Sequence, residues 1–198
     1  MGKKIFIDGG AYDGESVKFF KKRFTDWGEY DIYSFECNPI FEKDYQEDNI
    51  NFINNAIWIE DTNMNFYRCS DKDYQWGSSL LVDKTSGALD KENPTIVEAI
   101  DFSKWLIDNF SEDDYIVLKL DIEGAEYKVL DKMITDGSIK YIDELHGEWH
   151  YLKIDIDEEE HYKLVSKLKS VGLKMQGWEV GQTHTQNKPR IAPGGRRP

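Results

Sequence analysis

The sequence predicts an α/β domain in which a mostly parallel central sheet is flanked by helices. Two observations carry that prediction. Short apolar runs ending in glycine or proline turns alternate with stretches of helical periodicity, and strand–helix–strand in that rhythm builds a parallel sheet through crossover helices. Acidic and glycine residues also gather at the ends of the strand-like runs, which is where open parallel sheets bind ligands. A chain of 198 residues has the size of one domain. The expected organisation is a single domain over 1–181, with an irregular insertion at about 70–94, then a polar, loosely ordered tail over 182–198.

The elements follow in order. Lys4-Ile5-Phe6-Ile7 is a buried strand halted by Asp8-Gly9-Gly10. Val17, Phe20 and Phe24 then recur at helical spacing, with Lys18, Lys21 and Lys22 between them, as in an amphipathic helix. Asp31 to Glu36 is a second strand, ended by Cys37-Asn38-Pro39. Ile50 to Ile59 reads as a third. Met64 to Arg68 and Thr95 to Ile100 are further strands, separated by the polar stretch Ser70 to Asn93. Loops of that length inside a compact domain serve as lids or binding segments.

Phe102, Leu106 and Phe110 mark a helix capped by Asp101 or Ser103. Tyr115 to Leu120 is the most apolar strand and runs into Asp121-Ile122-Glu123-Gly124-Ala125-Glu126. The helix after it turns Val129, Leu130 and Met133 inward and ends at Gly137. Ile139 to Leu145 is a strand, Glu158 to Val171 an amphipathic helix closed by Gly172, and Leu173 to Val180 a last strand.

Composition narrows the function. The apolar fraction of 39% is that of a globular chain. A net charge of −13 opposes binding to a phosphate backbone or an anionic bilayer, so neither nucleic acid nor membrane is an expected partner. Cys37 and Cys69 have no metal-type spacing and read as free thiols. No apolar run approaches the roughly 18 residues of a membrane span. The run after Lys3 and Lys4 is too short for a signal peptide. The expected compartment is the cytoplasm.

Three segments can carry chemistry. Asp8 to Gly14 is a glycine turn opening a helix, whose N–H groups can meet a carboxylate or phosphate. Its spacing is not the GxGxxG of dinucleotide sites, and a plain turn is the simpler reading. Glu36, ending the second strand, can accept hydrogen bonds from both hydroxyls of a ribose, or can be a solvated acid. Asp121 and Glu123, beside Gly124, can orient an acceptor, take its proton or hold a hard cation. Acids favoured by a helix N-terminus are the competing explanation, strongest for Glu126.

Taken together, these segments resemble the FkbM family of methyltransferases. The family's glycine turn is similar to Asp8 to Gly14, and its second-strand acid to Phe35-Glu36-Cys37-Asn38-Pro39. Its asparagine–alanine pair is similar to Asn55-Ala56-Ile57, and its serine segment to Gly77-Ser78-Ser79-Leu80. Its most specific signature resembles Lys119 to Glu126. Tyr12 stands where the family usually has asparagine, and Cys37 where it usually has proline. The resemblance implies a Rossmann-like class I methyltransferase fold with S-adenosylmethionine as cofactor. It makes Asp8, Gly9, Gly10, Ala11, Tyr12, Gly14, Glu36, Cys37, Asn55, Ala56 and Asp121 donor-binding residues, with Asp8, Gly10 and Gly14 around the methionine part, Glu36 on the ribose, and Asn55 and Ala56 near the adenine. It further implies O-methylation of a small-molecule or sugar acceptor bound near Ser78, Ser79, Glu123 and His150.

A hydroxyl acceptor needs a base. Asp121 is one candidate, and His146 and Glu148 are others. If His146-Gly147-Glu148-Trp149-His150 is extended, His146, Glu148 and His150 alternate onto one face near Asp121. Asp121, Glu148 and His146 also make a possible divalent-metal set, or the cluster is merely hydrogen-bonded at a strand end. Tyr74 and Trp76 can stack on an acceptor, whereas Trp149 reads as core. The alternatives to a methyltransferase are a methyltransferase-like domain that binds without turnover, and a nucleotide-dependent oxidoreductase. The missing GxGxxG disfavours the latter.

Overall fold

Strand β1 (Lys4–Gly9) is buried along almost its whole length. Strands buried on both faces are the mark of a parallel sheet sandwiched between helices. The computed structural model describes residues 2–45, 49–70, 75 and 77–178. After β1 come α1 (Glu15–Arg23), β2 (Tyr30–Phe35), β3 (Ile50–Ile53), β4 (Ala56–Trp58), β5 (Thr62–Phe66), β6 (Thr95–Asp101) and α2 (Phe102–Asn109). The chain continues through β7 (Tyr115–Leu120), α3 (Glu126–Asp136), β8 (Ile142–Gly147), α4 (Glu158–Ser170) and β9 (Met175–Gln176).

The main sheet has the order β3-β2-β1-β7-β8-β9, and every pairing in it is parallel. The chain first builds outward from β1 to β3, then returns to the other side of β1 and builds outward to β9. The direction therefore reverses between β1 and β7, and the crevice above that junction is the natural ligand site of a doubly wound sheet. The fold is the Rossmann-like α/β arrangement expected.

Alternation along each strand sorts the core into two layers. Ile5, Ile7, Ile116, Leu118 and Leu120 pack with Leu106, Leu130 and Leu168, from α2, α3 and α4. Phe6, Ile32 and Val117 face Val17, Phe20 and Phe24 on the other side. The Phe6 and Phe20 rings stack at 4.0 Å. Burying each such side chain stabilises the fold by about 1.5–3 kcal/mol. Among the described residues no helix is long and apolar enough to cross a membrane.

A second sheet, β4-β6-β5, pairs β4 with β6 in parallel and β5 with β6 antiparallel. Ala56, Trp58, Phe66 and Val97 pack it against Ala125 at the start of α3. This corrects one expectation: Ile50 to Ile59 is not one strand but two, in different sheets. The break lies at Asn54-Asn55, where the Asn54 amide donates to Glu36 O (2.7 Å) and Asn55 N–H to Ile53 O (2.9 Å), turning the chain out of register.

Other boundaries shift slightly. Residues 138–141 form a 3-10 turn before β8, so that strand begins at Ile142. Asp101, not Ser103, caps α2 by accepting from Lys104 N–H. Ser103 instead meets the Ser138 hydroxyl at 2.9 Å. The end of the last expected strand, the tail over 182–198, and Tyr74 and Trp76 lie outside the described residues.

Candidate active site

The site begins where β1 and β7 end side by side. Gly10 has φ +74°, and a Cβ there would lie 1.9 Å from Asp121 O. Only glycine lets the two turns meet backbone to backbone. Gly10 N–H and Ala11 N–H both donate to Phe35 O, at 3.1 and 3.0 Å, which ties the turn to the end of β2. Tyr12 is also left-handed, with φ 48°. Asparagine enters that region more readily than tyrosine, so the residue usual in the family suits this backbone. The Tyr12 ring packs on Phe41 at 4.3 Å.

Glu36 links the two turns. One carboxylate oxygen accepts Tyr12 N–H (3.0 Å) and the other Asn38 N–H (2.7 Å). Burial pushes its carboxyl up, and the two N–H groups and Lys119 pull it back. Each oxygen keeps capacity to accept a further hydrogen bond, and Glu36 lines the pocket. Burial and the Glu36 charge push the neighbouring Cys37 thiol well up, so it is neutral.

Beneath the pocket lies a buried ion pair. Lys119 is the one charged residue of β7 and is 2% exposed. Its Nζ is 3.1 Å from Asp8 Oδ1 and 3.8 Å from Asp121 Oδ2, and it donates to Gly10 O at 2.8 Å. Burial works against the ammonium, but the carboxylates of Asp8, Asp121 and Glu36 outweigh it and hold the lysine above its ordinary value. Asp8 is fully buried; burial pushes it up and Lys119 pulls it back.

The acidic turn is braced from below by Glu126. Its two oxygens accept Ile122 N–H and Gly124 N–H, each at 2.8 Å, and the first also meets His150 Nδ1 at 3.1 Å. That arrangement lets Glu123 hold a left-handed φ of 55°. His150 Nε2 lies 3.4 Å from Glu123, 3.7 Å from Asp121 and 3.9 Å from Glu148. Burial pulls His150 down, but the surrounding carboxylates, Glu126 first, hold it above its ordinary value.

Residues 77–84 close onto this turn. The Ser79 hydroxyl donates to Glu123 O (2.8 Å) and accepts Leu81 N–H (3.0 Å). The Ser78 hydroxyl donates to Gln75 O and accepts Cys69 N–H. Buried Lys84 donates to Gly77 O (2.6 Å) and pairs with Glu123 at 2.9 Å.

One pocket unites most of the expected residues. Gly10, Ala11 and Tyr12 form one wall, Glu36 and Cys37 the next, and Asn55 and Ala56 the third. Ser78, Ser79, Asp121 and Glu123 line it as well. Asp8, Gly9 and Gly14 do not line it; Asp8 is spent on Lys119, which does. His150 stands behind the acidic turn. Glu148 is exposed and pairs with Lys153 at 3.2 Å.

His146 is a correction. It is fully buried away from the pocket, 3.1 Å from Glu144 and 5.2 Å from the Trp178 ring. The expected alternation of His146, Glu148 and His150 stops at Gly147, where φ is 152° and a Cβ would meet Leu120 O at 1.9 Å. The chain there packs onto the end of β7 and turns, so His146 and His150 part company. The proposed set Asp121, Glu148 and His146 is therefore not assembled; Asp121, Glu123 and His150 come together instead. Trp149 packs against Tyr127 and His161, as a core residue would.

Sequence reasoning missed three supports. Lys119 had a readable signal, a charge inside the most apolar strand. Glu126 was readable only as a helix-start acid, and Lys84 had no signal within its polar segment.

The family model described as the methyltransferase FkbM domain matches residues 8–175. Searches of curated proteins and of solved structures each return no match. The family match runs from the end of β1 into β9 and takes in every wall of the pocket, so the chain belongs to the FkbM methyltransferase domain family.

Proposed function

We propose that this methyltransferase uses S-adenosylmethionine to methylate a hydroxyl of a small-molecule or sugar acceptor. One observation carries the donor assignment. Glu36 follows the end of β2 beside the topological switch point and lines the pocket, and each of its oxygens is fixed by one backbone N–H. Such a carboxylate is pre-oriented for a vicinal diol. The residues fit the rest of the donor as well. The Gly10–Tyr12 turn, held against Asp121 O, offers a tight backbone wall to the methionine part. Asn55 and Ala56 line the pocket where the adenine would lie.

When bound, the donor supplies an electrophilic methyl group on a sulfonium, which leaves as a neutral thioether when an acceptor oxygen attacks. The protein's part is chiefly positioning. Asp121 stands at the junction of donor and acceptor walls, with Lys119 on one side and His150 on the other. As the acceptor oxygen attacks, its proton passes to the Asp121 carboxylate. Ser79 and Lys84 fix Glu123, so the acceptor wall holds its shape. The acidic surroundings favour a neutral or cationic acceptor.

Calorimetric titration with S-adenosylhomocysteine tests the donor site. The wild type binds with a dissociation constant in the micromolar range, near −8 kcal/mol, and Glu36→Ala weakens it by at least about tenfold. A wild type that takes up none of the ligand overturns the donor assignment.

A further inference from the structure

We propose that Asp121, Glu123 and His150 bind one divalent transition-metal ion, of the Mn2+ or Zn2+ class, at the acceptor end of the pocket. Three side chains from two turns bring one ligand atom each to within 4.8 Å of one another. An acidic cluster alone would carry little, since exposed acids gather without ions. His150 supplies the independent observation. It is 1% exposed, and its Nε2 has no hydrogen-bond partner among the described residues while it points at the two carboxylates. Leaving a buried polar nitrogen without a partner costs about 1–3 kcal/mol. A bound ion removes that cost.

The rest of the ring is arranged as metal-ligating histidines are. Nδ1 faces the fully buried carboxylate of Glu126. A carboxylate on the far nitrogen fixes ring orientation and tautomer and raises ligand basicity. Glu126 cannot swing away, because both its oxygens are held by backbone N–H groups of the same turn that carries the ligands. The ligands are thus pre-positioned through one residue.

Spacing fits an ion of this class. Ligand atoms about 2.0–2.2 Å from a common ion lie about 3–3.5 Å apart. Nε2 is 3.4 Å from Glu123 Oε2 and 3.7 Å from Asp121 Oδ1, close to that spacing, and all three ligand atoms lie within 4.8 Å of one another, so small side-chain rotations draw them onto one ion. One imidazole with two carboxylates suits Mn2+ or Zn2+ better than Ca2+, which prefers six to eight oxygens. Lys84 also holds Glu123 Oε2, at 2.9 Å, so the ion shares that oxygen. Asp121 Oδ2 stays on the Lys119 side. Three protein ligands leave coordination positions free, and because Asp121 and Glu123 line the pocket an acceptor hydroxyl there would be drawn in and acidified. The acceptor role rests on the proposed methyl transfer; the binding of the ion does not.

The test is calorimetric titration of the chelator-treated full chain with MnCl2, and separately with ZnCl2. S-adenosylhomocysteine is titrated in parallel. The expected result is one ion per chain bound in the micromolar range or tighter. His150→Gln loses that site by at least about tenfold, and Glu126→Gln weakens it about 10–100-fold. Should His150→Gln fail to fold, Asp121→Asn, at a more exposed position, must show the same loss. A wild type that binds neither ion, or variants that bind as tightly as the wild type, overturn the proposal. Metal bound without S-adenosylhomocysteine would sink the donor assignment and leave the ion; the reverse would sink the ion and leave the donor site.

Discussion

The Asp8–Lys119 pair shows how a single residue can support a pocket it does not touch. Asp8 is fully buried and Lys119 nearly so, with their charges 3.1 Å apart. Taking two charges out of water costs several kcal/mol each, and their attraction roughly repays it. The pair is therefore no large source of stability while intact, but breaking it from one side is severe. Lys119→Met leaves Asp8 buried without its counter-charge and is expected to cost about 3–5 kcal/mol. Pairing it with Asp8→Asn recovers much of that loss. Urea unfolding of the two single variants and the double variant measures the coupling. If the losses simply add, the pair is not coupled and Lys119 acts only through Gly10 O. Lysine in a strand of isoleucine, valine and leucine was legible as an anomaly. What it paired with was not, because Asp8 lies in a different strand more than a hundred residues away.

At the scale of elements, α4 docks on α3 through an aromatic histidine. His161 Nδ1 lies 2.7 Å from the Tyr127 hydroxyl, and the ring stacks on Tyr151 at 4.2 Å. Burial holds His161 below its ordinary value. The sign follows from proton counting. Below the ordinary histidine range, about pH 6.5, the unfolded chain takes a proton that the folded chain refuses until a lower pH, so this residue lowers stability as pH falls through that window. In His161→Phe that contribution is absent. The urea midpoint of the variant should therefore fall less than that of the wild type between about pH 7.5 and pH 5.5. Equal falls would mean that the helix contact does not titrate. Periodicity foresaw α1, α3, α4, β1, β2 and β7, because each alternates against a core on its own. It failed at Asn54-Asn55 and at Gly147 for a shared reason. Both breaks are made by contacts from elsewhere, Glu36 O in one case and Leu120 O in the other, and local pattern holds no trace of a distant carbonyl. The same limit misplaced His146 and left His150 as an acceptor residue rather than the partner of Glu126.

For the whole molecule, the rhythm of strands and helices was enough to foresee a mostly parallel sheet with its ligand at the carboxyl ends of the strands, whereas the reversal of strand order between β1 and β7 that fixes the pocket shows only in the fold. The charge balance makes a further claim testable on the intact chain. There are 38 acidic against 25 basic residues, and an excess of one sign repels itself in the compact state. Opposing this are exposed contact pairs such as Lys104–Asp108 (2.5 Å), Lys140–Glu112 (2.7 Å) and Lys167–Asp131 (2.5 Å). Each is worth about 0–1 kcal/mol. Salt weakens both effects, but not equally. Raising ionic strength from about 0.01 to 0.1 M shortens the screening length from about 30 to about 10 Å. Repulsion summed across the whole molecule acts over those distances and is lost first, whereas ions in contact are closer than either length. The buried pairs at Lys119 and Lys84 are screened much less. The thermal midpoint should therefore rise over that range of sodium chloride. A fall would mean that the surface pairs outweigh the excess negative charge, and that the acidic balance does not set this molecule's response to salt.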